Sequence, residues 1–274
     1  MKTAMLMALM TMLLMAIGDY FGGLQGMTIM LVFGVVMNFF TYWNSDKMVL
    51  AHYRAQEVNA RTAPRLYAIV KRLADRAKLP MPKVYVIDSP VPNAFATGRN
   101  PEHAAVAVNT ALADLLDEEE LAGVLAHELS HVKHRDILIS TVAASMAGAI
   151  STIAQWGMFL GGGRDENGES RNPFATILVM LLAPLAAALI QMAVSRSREY
   201  MADKSGGELC GNPNALADAL LKIEAFARRR VMPGATEATA HMFIINPFSG
   251  VNLKQLFSTH PPTEERVRLL REQA

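Results

Sequence analysis

The stretch "VLAHELSHVKHRDILIST", residues 124–141, decides how the chain is read, because its character changes midway. Its first half places His127, Glu128 and His131 at helical spacing. Its second half loses its charges after Asp136 and opens a long apolar run. Upstream, Asp117 followed by Glu120 is a capping-box pattern, so the spacing predicts a helix from there to about His134. Leu121, Val124, Leu125, Leu129 and Val132 form its apolar face, turned away from the two histidines.

Residues four apart on a helix share a face, so His127 and His131 can both reach one ion. Glu128, next to the first of them, can hold water bound to that ion. This is the H-E-x-x-H arrangement of zinc-dependent hydrolases. Imidazole nitrogen suits zinc, and zinc brings the pKa of a bound water down to about 7. A catalytic zinc needs a third protein ligand. His134 is nearby but lies about 10 Å from His127 along a straight helix. No glycine turns the chain between His131 and His134, so His134 reads as a polar residue at the helix end. Glu199 and Asp203, four apart in "SRSREYMADKSGG", are better placed. Glu199 can complete a His-His-Glu set, and Asp203 can accept a hydrogen bond from the outer nitrogen of a ligating histidine.

The topology supports that pairing. Uncharged runs cover residues 3–17, 27–43, 137–163 and 172–195. The last two are long enough to span a bilayer, which takes roughly 20 residues. The first two can lengthen through the weakly polar "GDYFGGLQG" between them, giving two close helices and a tight turn. Residues 1–17 also fit a signal peptide, whose removal would leave the downstream orientation unchanged. Lys47, Arg54, Arg61, Arg65, Lys71 and Arg72 follow the second run, so residues 44–136 are expected in the cytoplasm. The short acidic loop at 164–171 faces outward, and residues 196–274 return inside. The His pair precedes the third run and Glu199 follows the fourth. An antiparallel hairpin brings both out on one membrane face.

The expected organisation is a transmembrane hairpin (1–43), a first soluble part (44–136), a second hairpin (137–195) and a second soluble part (196–274). The soluble parts read as mainly α with a small β-sheet, an α+β class. Thr62 caps a helix with Pro64 in its first turn, and "LPMP" (79–82) ends it. "KVYVID" (83–88) and "AAVAVNT" (104–110) read as strands, and "SPVPN" as a loop. A helix starts at Asn212-Pro213 and runs to about Arg230. Residues 231–250 read as a loop, and "EERVRLLREQ" as a last helix.

With 51% hydrophobic residues among 274, the chain points to a membrane protein rather than a soluble one. The net charge of +1 gives no reason to expect nucleic acid. The single cysteine, Cys210, forbids an intrachain disulfide.

"HELSH", "REYMAD", "NAFATG" (93–98) and "STHPPTEERV" (258–267) together resemble the HtpX-type membrane zinc peptidases, which are related to the CAAX prenyl proteases. The resemblance covers nearly the whole chain. It implies a gluzincin fold with four transmembrane helices and one Zn2+ per chain. His127, His131 and Glu199 would be the ligands, Glu128 the general base and acid, and Asp203 a partner of the ligands. Asn93 and Ala94 match the edge strand that holds substrate backbone. His260 would approach the oxyanion, with Arg266 orienting that site. The implied activity is cleavage of membrane proteins, misfolded or damaged ones, at a bacterial inner membrane under stress. The bilayer and unfolded polypeptides would be its partners, and both termini would be cytoplasmic. Oligomeric state, native substrates and cleavage preference are not legible. An intramembrane zinc protease would need its motif inside an apolar helix. A non-enzymatic zinc-binding adaptor would not need Glu128.

Overall fold

The computed structural model describes residues 2–142, 196–229 and 261–274. Most of these are helical, and four short strands form one mixed sheet. Helix α1 spans Lys2–His52 but is two arms rather than one rod, because Gly23 breaks it at φ 57°, ψ −148°. That left-handed backbone favours glycine. The arms lie side by side: Asn38 Nδ2 donates to Met7 O (3.0 Å) and Thr11 Oγ1 (2.8 Å). Gly22–Asn44 is the one described helix long and apolar enough to cross a membrane, and Thr3–Ala16 is shorter. The second arm does not stop at residue 43. It continues to His52, and its end packs on the sheet.

Strand β1 (Gln56–Val58) is followed by helix α2 (Pro64–Ala77), β2 (Lys83–Ile87), β3 (Ala94–Gly98) and β4 (Ala104–Asn109). The strand order is β1-β2-β4-β3; β2 and β4 are parallel, and the other pairs antiparallel. Alternate residues feed two cores. Val84, Ala94, Val106 and Val108 join the main core with α2 and the central helix. Ile87, Phe95, Ala105 and Ala107 pack against Val49 and Leu50 from the end of α1. The hairpin is therefore attached to the back of the sheet.

Thr62 does not cap α2. Ala63 holds that place with no side-chain cap bond, and Thr62 Oγ1 instead accepts from Asn59 N (2.9 Å) in the preceding turn. Lys78 ends the helix in the left-handed conformation, ahead of "LPMP". Strands β1 and β3 carry no period-2 signal: β1 has three residues, and "AFATG" is small and ends in glycine.

After the short helix α3 (Thr110–Leu115) comes α4 (Glu118–Lys133), capped as predicted. The Asp117 side chain accepts from Glu119 N and Glu120 N, while the Glu120 carboxylate accepts from Asp117 N. The helix does not present a single apolar face. Every residue from Glu120 to Ser130 is buried, the histidine and glutamate included, because α2, the sheet, α5 and α6 surround the helix. A further helix begins at Ile137. Helices α5 (Arg196–Cys210), α6 (Pro213–Arg229) and α7 (Thr263–Gln273) complete the described chain. The runs at 143–163 and 172–195, the 164–171 loop, the 231–250 loop and His260 lie outside the described residues.

Candidate metal centre

The His127 and His131 rings meet edge to face on α4, with Nε2 atoms 3.2 Å apart. From α5, Glu199 Oε2 lies 3.7 Å from His127 Nε2, and Glu199 Oε1 lies 3.5 Å from His131 Nε2. One ligand atom from each residue fits within 4.8 Å of the others. Tetrahedral zinc, with ligands at 2.0–2.1 Å, sets neighbouring donors about 3.3 Å apart. The spacing and the two-imidazole, one-carboxylate donor set therefore fit zinc. His134 is exposed at the C-terminal cap of α4 and takes no part in the cluster.

Helix α5 reaches α4 this closely because of a residue that sequence reasoning missed. A Cβ on Gly206 would stand 2.8 Å from His127 N and 2.9 Å from His127 Cα. Gly206 sits about two turns after Glu199 on the same helix, so backbone contact at one point places the carboxylate at the other. The readable signal was the "SGG" of the helix interior, where glycine is otherwise unfavourable.

Both histidines have carboxylates behind them. Asp203 Oδ1 lies 2.9 Å from His127 Nδ1 and pairs with it. Arg266, from α7, donates to both Asp203 oxygens, Nε to Oδ2 and Nη2 to Oδ1, each at 2.7 Å. Burial alone would raise the Asp203 pKa, but the Arg266 charge and hydrogen bonds hold it below the ordinary carboxylate value. Arg266 is 1% exposed, and its neighbour Glu265 pairs with Arg268 instead. On the other side, Asp136 Oδ2 lies 3.5 Å from His131 Nδ1, and Arg198 Nη1 lies 3.5 Å from Asp136 Oδ1. Burial opposes protonation of His131, but the Asp136 hydrogen bond and the Glu199 and Glu128 charges push its pKa up to about 9. Neither Asp136 nor Arg198 was singled out from sequence.

Glu128 Oε2 accepts from Ala96 N (2.9 Å), which ties the carboxylate to β3. That strand is the sheet edge, and its pairing with β4 starts where Asn109 N donates to Asn93 O. Antiparallel alternation turns the backbone groups of Ala94 and Ala96 outward, toward α4. Asn93 is itself buried. Burial raises the Glu128 pKa against the opposing pull of His127 and His131, which favours a carboxyl group able to carry a proton.

A helical histidine pair completed by a glutamate from the neighbouring helix, with a second glutamate held at a sheet edge, is the arrangement of a metallopeptidase. The chain belongs to Peptidase family M48, whose sequence model matches residues 59–274, and it is a metalloprotease. It is 60% identical to the protease HtpX homolog of Burkholderia thailandensis over all of this chain and 96% of that one. Identity to the protease HtpX homologs of Burkholderia mallei and Burkholderia pseudomallei is 59% over the same shares. Among solved structures, S. mikatae Ste24p superposes with a TM-score of 0.54 at 19% identity. The match covers 95% of this chain and 62% of that one, a likeness of fold.

Proposed function

We propose a zinc-dependent endopeptidase of the gluzincin type that cleaves membrane proteins at the cytoplasmic face of a bacterial inner membrane. Misfolded or damaged proteins are the substrates, as in quality control under stress. One observation carries the reading: Glu128 stands beside the three-residue cluster while bonded to the edge strand. That brings a proton carrier, a metal-binding set and a place for substrate backbone together. In this reading His127, His131 and Glu199 hold one Zn2+ per chain. When bound, zinc supplies Lewis acidity toward the scissile carbonyl and acidifies a water. Ala94, whose backbone groups face outward, aligns the substrate as an added strand, and Asn93 anchors the start of that strand to β4. Glu128 takes the proton of the attacking water and returns it to the leaving nitrogen. Its raised pKa suits the second half of that task. Asp203 and Arg266 steady His127, and His260 acts at the oxyanion.

The topology belongs to the same proposal. Hairpins at 1–43 and 137–195 span the membrane four times, and residues 44–136 and 196–274 form the peptidase on the inner side with both termini. The apolar surface of α1, exposed at Leu24, Val32 and Phe39, supports a lipid environment for the first hairpin. The test is cleavage of a multi-spanning protein in liposomes by the wild type and by Glu128→Gln. The variant should keep its zinc, lose about 10²–10⁴-fold in rate, and leave cytoplasmic segments uncut. Near-normal cleavage by the variant would remove the role given to Glu128.

A further inference from the structure

Asp203 and Arg266 stand behind His127, and His131 needs an equivalent. The structure has one on the opposite side of the cluster. His131 Nδ1 faces Asp136 Oδ2, and Asp136 Oδ1 faces Arg198 Nη1, both at 3.5 Å. The side chains of His131, Asp136 and Arg198 are 17%, 15% and 12% exposed, so water and salt screen them less than a surface pair.

The local chain puts Asp136 there. Helix α4 ends at Lys133, and Arg135 turns left-handed at φ 59°. The turn closes when Asp136 N donates to His131 O (2.9 Å), returning Asp136 to the residue it serves. Arg198 comes from the first turn of α5, directly before Glu199. The contact therefore joins the end of the histidine helix to the start of the glutamate helix. These are also the points where the chain enters the third apolar run and leaves the fourth.

We propose that Asp136 is the positioning residue for His131 and that Arg198 holds Asp136 in place. A carboxylate that accepts from Nδ1–H fixes the tautomer that leaves the Nε2 lone pair free for a metal ion. It also fixes the ring plane that aims Nε2 at Glu199. Arg198, as a donor to the same carboxylate, keeps it from turning toward solvent. His127 and His131 are then held by matching carboxylate–arginine pairs from opposite sides. Arg198 and Glu199 are neighbours, so the same pair locks the third ligand relative to the second. The proposal rests on His131 being a metal ligand.

The experiment measures zinc affinity by chelator competition on the full-length protein in detergent, for wild type, Asp136→Ala, Asp136→Asn, Arg198→Met and His131→Ala. Each is scored beside the melting temperature of its metal-free form. Asp136→Ala should bind zinc about 10–100-fold more weakly with little change in metal-free melting. Asp136→Asn, which keeps an acceptor, should recover part of the loss, and Arg198→Met should lose several-fold. Cobalt substitution adds a spectroscopic check: the visible band should shift in Asp136→Ala, where the His131 ring is free to turn. Asp136→Ala binding zinc within twofold of wild type would overturn the proposal. Should that variant not fold, Asp136→Asn and Arg198→Met decide, and wild-type affinity in both overturns it equally. His131→Ala separates the two levels. If it keeps wild-type zinc affinity, the ligand assignment itself fails; if it loses zinc and the Asp136 variants do not, only the positioning role fails.

Discussion

The second arm of α1 and helix α4 are inverted in what they bury. On α1, Leu24 and Phe39 are 73% and 67% exposed. On α4, His127 and Glu128 are buried to 2% and 7% exposure among leucines and valines. Each pattern would be costly in a water-soluble helix of ordinary design. Exposed apolar surface of this extent calls for lipid or a partner. Buried ionisable groups call for partners of opposite charge or for a metal. The proposed lipid environment would meet the first. The second is met inside the protein by Glu199, Asp203, Arg266, Asp136 and Arg198. The membrane arm depends on composition alone, whereas α4 depends on individual atoms, so the two should respond differently to substitution.

The largest effect is expected where α4 relies on a buried charge. Asp203→Ala takes two carboxylate acceptors from the buried Arg266 guanidinium and removes the carboxylate at His127 Nδ1. Stability should fall by about 3–5 kcal/mol, measured by chemical denaturation of the solubilised protein, and zinc should be lost with it. A loss under about 1 kcal/mol would show that the interior tolerates unpaired charge and would weaken the contrast. Next comes Gly206→Ala. The added methyl meets the His127 backbone, so α5 must move away at a cost of about 1–3 kcal/mol. Zinc affinity should fall too, because Glu199 moves with the helix; stability lost with zinc binding intact would mean that the glutamate is not placed by this contact. The smallest effect is expected on α1. Val36 is well exposed, so Val36→Ser should change denaturation of the peptidase part by no more than about 0.5 kcal/mol. It should still weaken retention in membranes during salt or alkaline washing. A change in catalytic rate as large as that of the α4 variants would end the separation between the two regions.

What could be read from the sequence follows the range of the interactions. The capping box, the His127–Glu128–His131 spacing and the two longer strands are local, and each stands in the structure where its pattern put it. Glu199 lies far off in sequence and was reached through topology, by folding two apolar runs against each other. Gly206 shows locally only as an unfavourable glycine inside a helix, and the Ala96 N–H bond to Glu128 carries no local pattern, because what matters is which distant group each one meets. Asp136 was within reach: it follows His131 by five residues, but only the left-handed Arg135 returns it to the ring. Strand β1 carries no signal because three residues look alike in any conformation, and β3 is legible only through the "NAFATG" resemblance, having no alternation of its own. Thr62 shows the converse, a good cap residue used by the turn before the helix instead.

One zinc ion is expected among His127, His131 and Glu199. Anomalous scattering at the zinc edge from crystals of the full-length protein tests it most directly. A single peak per chain should appear, about 2.0–2.2 Å from Nε2 of both histidines and from a Glu199 carboxylate oxygen. A peak coordinated by His134, or one bound without Glu199, would contradict it.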